Sequence, residues 1–218
     1  MNDIGDRFKR FYEEAYKIKL PRKLPIIIRA DGKCFHSLLT ILHLDKPFDK
    51  ALIKSLQLSA IEVCKNSSGI KLAYLQSDEI SFLMHDYDTV NTEAWFANEL
   101  QKIVSVISSI LSIQMGNYLN TTRTIFDARA FILPKEEVCN YFIWRQMDWA
   151  KNSIQMVARG QFSNTELFGL SCNKLQEKLW TEKKINWARL PLLYKRGSCI
   201  IKKEGDWIVD NKIPDFTK

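Results

Sequence analysis

Residues 24–133 alternate between two hydrophobic periods in an order that few folds accept. The run 24–30, LPIIIRA, is short, apolar and rich in Ile, so it reads as a buried strand ending at Asp31-Gly32. Residues 49–66 then repeat apolar positions at helical spacing (Leu52, Ile53, Leu56, Ala60, Val63, Cys64), with Asn66 and Gly69 to close the helix. Residues 71–76 and 79–85 read as two strands joined by a turn carrying Ser77 and Asp78. A long helix is expected over 89–116, capped by Asn91 or Thr92, with Phe96, Leu100, Ile103, Ile107, Ile110 and Leu111 inward. A fourth strand, 124–133, stops at Pro134. Strand, helix, strand, strand, helix, strand is the split β-α-β order. It implies an α+β fold, a ferredoxin-like antiparallel sheet with helices on one face, as in the palm of many nucleotide polymerases.

The flanks differ. Residues 3–19 predict a helix with Phe8, Phe11, Tyr12, Ala15 and Tyr16 on one face, ended by Pro21 and Pro25. Residues 136–159 predict a long helix with Tyr141, Phe142, Trp144, Met147, Ile154 and Val157. Shorter helices follow through Trp187, and 192–209 form a basic β-hairpin turning at Glu204-Gly205. The expected division is a palm-like catalytic domain, 1–134, with a helical and hairpin C-terminal region, 135–218, packed on it.

Charge narrows the partners. Lys and Arg number 32 against 25 acidic residues, a formal charge of +7, which suits a polyanion. The longest apolar stretch, 103–115, is interrupted by serines and Gln114 and is too short and polar to span a bilayer. The N-terminus is charged and amphipathic, unlike a signal peptide. Five scattered cysteines without a Cys-x-x-Cys pair indicate neither a disulfide framework nor a zinc site, and fit reduced thiols in a cytoplasmic protein.

Asp31 and Asp78 sit where strands end, and this topology makes strands one and three neighbours. Two carboxylates meeting on one edge supply hard oxygen ligands for two Mg2+ ions in phosphoryl transfer. Gly32 leaves its carbonyl approachable as a further ligand. The loop Gly32-Lys33-Cys34-Phe35-His36 offers backbone N–H groups to a triphosphate, and Lys46 and Lys102 add charge. Taken singly, Asp-Gly is usually a turn and Ser-Asp-Glu a solvated hairpin; His36 suits a structural role, and Trp144, Trp149 and Trp180 suit a core.

Five segments, RADGKCFHSL (29–38), LDKPFD (44–49), YLQSDEISFL (74–83), FDAR (126–129) and YFIWRQMDWAKNSI (141–154), together resemble the tRNA-His guanylyltransferase superfamily in order and spacing over residues 3–210. The resemblance implies a nucleotidyltransferase that adds nucleotides to the 5′ end of tRNA, growing the strand 3′ to 5′. A 5′-monophosphate is activated with ATP or GTP, and the incoming nucleotide's 3′-OH then attacks it. Matched residue by residue, Asp31, Asp78 and the Gly32 carbonyl would hold two Mg2+ ions, with Glu79 assisting. Residues 32–36, Lys46, Asp49, Ser77 and Lys102 would bind nucleotide. Arg145, Lys151, Asn152, Arg159, Lys195 and Arg196, with Lys202 and Lys203, lie outside the palm and could contact the acceptor stem of tRNA. The family also implies a homotetramer.

Family members that add G to tRNA-His continue Trp-Arg-Gln-x-Asp-Cys with His-Ile-Asn-Asn. Here Trp149 follows Asp148, and the next four are Ala150, Lys151, Asn152 and Ser153. That departure resembles the guanylyltransferase-like branch, which repairs truncated tRNA 5′ ends against the opposite strand. Untemplated G addition is the alternative. A palm-type nucleotide cyclase and a non-catalytic RNA-binding protein are further alternatives. The cyclase leaves the Trp-Arg-Gln helix unexplained, and the binding protein predicts lost metal ligands.

Overall fold

A computed structural model describes residues 3–217. In chain order the elements are α1 (Asp3–Phe8), β1 (Ile26–Gly32), α2 (Phe35–Ile41), α3 (Lys50–Asn66), β2 (Ile70–Gln76), β3 (Glu79–Met84), α4 (Leu100–Leu119), β4 (Phe126–Ile132), α5 (Glu137–Arg159), α6 (Asn164–Leu167), α7 (Cys172–Lys183), α8 (Leu192–Arg196), β5 (Ser198–Lys203) and β6 (Asp206–Asp210). The strands form one antiparallel sheet in the order β4-β1-β3-β2-β5-β6. Its first four strands have the expected ferredoxin-like arrangement. The basic hairpin supplies the last two, so it extends the palm sheet.

Alternation along each strand sorts the core. Ile26, Ile28, Ala30, Ile80, Phe82 and Met84 turn to the face covered by α3 and α4, where Ala60, Val63, Ile103, Ile107, Leu111 and Met115 meet them. Ile27 and Tyr74 turn to the other face, against Tyr141 and Phe142 of α5. The two palm helices lie on one face, as expected, and α5 of the C-terminal region covers the other. A third cluster joins Ile154, Val157 and Ala158 of α5 to Leu175 and Leu179 of α7.

Two helix boundaries differ from expectation. Residues 9–16 continue α1 only as a π-turn and a 3-10 turn, and the apolar face it shares with them is exposed. The second palm helix starts at Leu100, not near residue 89. Thr92 does not cap it: its hydroxyl accepts from the Thr89 amide, and its carbonyl takes Arg22 and Lys23. Phe96, Ala97 and Asn98 have positive φ and bend the chain into α4, leaving Phe96 outside the core. In the hairpin segment, 192–196 is helical and the strands begin at Ser198. Among the described residues no helix is long and apolar enough to cross a membrane, and the cysteines are unpaired.

Candidate active site

The strand register sets four polar residues in a row across the sheet. Asp31 lies opposite Glu79 on β3 and opposite Asp127 on β4, and Glu79 lies opposite Gln76 on β2. With a side-chain period of two, all share the face of Ile27 and Tyr74, toward α5. Asp78 enters from the two-residue turn between β2 and β3. Ser77, first in that turn, has φ +50°, which matches the right-handed twist of the hairpin. The Gly32 amide donates to the Asp78 carbonyl at 3.1 Å and fastens the turn to the end of β1. The two aspartates thus come together on one edge, as expected.

Both carboxyls are held above the usual carboxylate range. Burial is the main cause for Asp31, reinforced by Asp78, Glu79 and Asp127, with Arg129 in opposition. Burial also raises Asp78, against hydrogen bonds from the Ser77 hydroxyl and its own backbone. Arg145 pairs Glu79 and Arg129 pairs Asp127 at 3.1 Å, while Asp31 and Asp78 have no ion pair among the described residues, so these two carboxyls are where a bound cation is favoured. Among the described residues no group of three or more His, Cys, Asp or Glu could hold a metal alone. The donor set still fits Mg2+, which takes one or two carboxylates and completes its shell with water and phosphate oxygens.

Glu79 is fully engaged. Arg145 of α5 donates to both its oxygens, at 2.8 and 2.9 Å, and Gln76 Nε2 donates to Oε1 at 3.1 Å. Arg145 also reaches Asp148 at 3.0 Å and is buried. This corrects the expectation that Arg145 faces RNA: the helical period turns it inward, where it positions Glu79.

The loop after β1 follows from one contact. A Cβ on Gly32 would stand 2.4 Å from the Phe35 ring, so glycine lets that ring pack over the strand end and start α2. Cys34 is left-handed (φ +58°), and the amides of Cys34, Phe35 and His36 have no protein acceptor among the described residues. Lys33, Cys34 and His36 are exposed, while Phe35 is buried. Lys46 is exposed, 3.5 Å from the Thr40 hydroxyl. Asp49 caps α3, accepting from the Leu52 amide at 2.7 Å and the Asp45 amide at 3.0 Å.

A cavity of about 230 Å³ opens beside Asp78 and Ser77. His36 and Asp49 line it, and Leu52, Leu56 and Leu75 make it largely apolar. Trp149 of α5 and Tyr194 of α8 close its far side.

Lys102 is not part of this assembly. It lies in the first turn of α4, whose first residue, Leu100, bonds to Ile18 ahead of β1, at the sheet end away from Asp31, and it pairs with Glu99 at 3.3 Å. Lys151, Asn152 and Arg159 are exposed on α5, and Asn152 bonds to Asp148. Lys195 and Arg196 are half-buried and donate to the carbonyls of Ala188 and Ile213. Sequence reasoning assigned no role to Asp127 or Gln76 and read Trp149 only as core, where it is indeed buried. FDAR and YLQSDE held the first two, but only strand register put them in the row.

The model of the family described as Thg1, tRNAHis guanylyltransferase, matches residues 5–134. The chain belongs to the tRNA-His guanylyltransferase family. It is accordingly a nucleotidyltransferase. Among members of this guanylyltransferase family, the tRNA(His) guanylyltransferase of Schizosaccharomyces pombe is 30% identical over 215 residues, covering 89% of this chain and 80% of the relative. A bacterial tRNA(His) guanylyltransferase (Thg1)-like protein in complex with ATP is 46% identical with TM-score 0.94, covering 98% of this chain and 94% of the other. One in complex with GTP is 42% identical with TM-score 0.87, covering 99% and 94%.

Proposed function

We propose that this chain repairs the 5′ end of tRNA by template-dependent 3′-to-5′ nucleotide addition, using two Mg2+ ions and ATP or GTP for activation. One observation carries the reading. Asp127, Asp31 and Glu79 stand in register, Asp78 is fastened beside them, and a base-sized apolar cavity opens at Asp78. Asp31, Asp78 and the Gly32 carbonyl would hold the metal ions, which when bound supply Lewis-acid stabilisation of phosphoryl charge. The unpartnered amides of residues 34–36 would take triphosphate oxygens, with Lys46 adding charge. Glu79, clamped by Arg145, orients the row and keeps its charge close to Asp31. The exposed Lys151, Asn152 and Arg159 would lie along tRNA. The solved relatives named for ATP and GTP support the nucleotide classes.

Repair is favoured over untemplated G addition by what replaced the family's His motif. Ser153 is buried, accepting from the Trp187 indole N–H at 3.0 Å. Ala150 has no group to offer RNA. Of that stretch only Lys151 and Asn152 face outward, with no histidine to single out one tRNA. We place the protein in the cytoplasm, as a homotetramer.

A 5′-extension assay tests the reading. Full-length tRNA-His and a tRNA lacking its first nucleotide are supplied with Mg2+, ATP and all four NTPs, varying the base opposite the gap. The added base is expected to follow the opposing base; G addition to tRNA-His alone, whatever lies opposite, would overturn templating. Asp78→Ala is expected to reduce extension by roughly 10²–10³-fold or more with the fold retained. Near-full activity in that variant would remove Asp78 from the metal site.

A further inference from the structure

Trp144 reads as a core residue from the sequence, yet it is 52% exposed. It lies on the flank of α5 away from the nucleotide cavity. Phe142 faces Tyr74 on β2, with ring centroids 6.4 Å apart. Trp144 comes two residues later, about 200° further around the helix. It faces β1 instead, where the Arg29 guanidinium lies 6.0 Å from its ring centroid. The Tyr141 ring meets the indole edge-on at 5.8 Å, and the Arg145 guanidinium, fixed on Glu79, lies 4.5 Å from it. The indole is therefore buttressed on its inner side while half of its surface stays open.

The sheet beside it carries charge that packing does not explain. Arg29 on β1 lies directly opposite Arg129 on β4, two positions along from the Asp31 and Asp127 pair. Like charges directly opposite one another are destabilising. Arg129 is paired with Asp127, and both side chains are more than half exposed. The Arg29 guanidinium has neither ion pair nor hydrogen bond among the described residues, only the Trp144 ring. Arg29 and Asp31 share one face of β1, roughly 7 Å apart along the strand. This flank is thus a shelf: β1 and β4 form its floor, Trp144 stands at its edge, and an unpaired cation lies next to the candidate metal carboxylates. The nucleotide cavity opens on the other flank, where Gln76, Ser77 and Asp78 line it. A transfer centred on Asp31 and Asp78 needs its second reactant from the side that the nucleotide leaves free.

We propose that Trp144 seats the 5′-terminal nucleotide of the tRNA, the open part of its indole stacking on that base beside the Arg29 guanidinium. Stacking on an aromatic side chain tolerates any base, because every base has a π-face. It therefore suits an end whose first nucleotide differs between substrates, and it holds the terminal phosphate near Asp31 without reading sequence. The inference rests on the reading that this chain acts on the 5′ end of tRNA.

Binding measured by fluorescence anisotropy, without nucleoside triphosphates, tests it. The probes are a 3′-labelled tRNA with a 5′-monophosphate and the same RNA made abasic at its 5′-terminal position. The wild type is expected to bind the abasic RNA roughly tenfold more weakly. Trp144→Leu, which keeps an apolar side chain and removes the ring, is expected to bind both RNAs alike, at the weaker level. Trp144→Phe is expected to restore most of the difference. Equal affinity of the wild type for the two RNAs overturns the stacking contact and leaves the tRNA reading standing. A Trp144→Leu protein that still distinguishes them also overturns it, whether or not both affinities fall, because Trp144 would then act only through the fold or face another protein chain. A wild type that binds neither RNA removes the tRNA reading itself, and the contact with it. Should Trp144→Leu not fold, the emission that separates the wild type from Trp144→Phe belongs to Trp144. Intact RNA is expected to quench it and abasic RNA to leave it; equal emission with both overturns the proposal.

Discussion

Asp31 is stored in a state the fold opposes. Burial and three neighbouring carboxylates raise its carboxyl above the ordinary value of 3.8, so the native state holds its proton more tightly than the unfolded chain. Stability from this group is greatest below 3.8 and is lost as pH rises through the raised native value. At neutral pH the charged Asp31 therefore works against folding when no cation is bound. Asp31→Asn is expected to melt above the wild type at pH 7 without divalent ions, and the difference should shrink toward pH 4. A variant melting at or below the wild type at pH 7 would show that the carboxylates are not strained. Asp86 has the opposite sign. Burial pushes its carboxyl up, but the guanidinium of Arg22 at 2.8 Å and the Lys23 amide at 2.7 Å outweigh burial and lower it. Its contribution is present above 3.8 and lost as pH falls through its lowered native value.

Among the elements, α5 does most to turn a palm into a site. Its inward stripe presents Tyr141, Arg145 and Trp149 at intervals of four. Tyr141 and Ser81 share a hydrogen bond at 2.8 Å, Arg145 clamps Glu79, and Trp149 closes the cavity. Arg145→Ala is expected to cost about 3–5 kcal/mol, because it leaves Glu79 charged and unpaired beside Asp31. Denaturant unfolding measures it; a loss below about 1 kcal/mol would mean that water replaces the guanidinium. The hairpin depends on a backbone detail. Gly197 has φ +78°, and a Cβ there would sit 2.3 Å from the Leu75 carbonyl, so only glycine lets α8 turn into β5 against β2. The same dependence on close contacts explains the misplaced start of α4. Trp95 and Phe96 fit a helical period, but the Thr92 carbonyl's bonds to Arg22 and Lys23 tie down the turn at 89–92, and positive φ at Phe96, Ala97 and Asn98 keeps 95–98 a separate short turn.

On the scale of the whole molecule, the N-terminal segment stands apart. Ile4, Phe8, Phe11, Tyr12 and Tyr16 are between 52% and 74% exposed, a run of large apolar side chains with nothing over it in one chain. Such a run is costly in water unless another surface covers it, and it suits the proposed tetramer. Phe8→Glu with Phe11→Glu is expected to lower the mass measured by light scattering while the far-ultraviolet spectrum stays that of the wild type. An unchanged mass would place any subunit contact elsewhere.

The sequence by itself determined the palm: its strands and helices announce themselves by period, and Asp31-Gly32 and Ser77-Asp78 mark strand ends by local chemistry. The motifs also named the two aspartates, because a strand end and a tight turn are local properties of the chain. The tertiary structure alone decided what stands beside them. Asp127 reaches Asp31 through β4 register, Arg145 reaches Glu79 across 66 positions, and the hairpin joins the sheet through pairing with β2. An arginine on a helix has no inward or outward sense until its helix has docked. A basic residue that reads as an RNA contact can therefore become, once α5 is packed, a buried partner of a carboxylate.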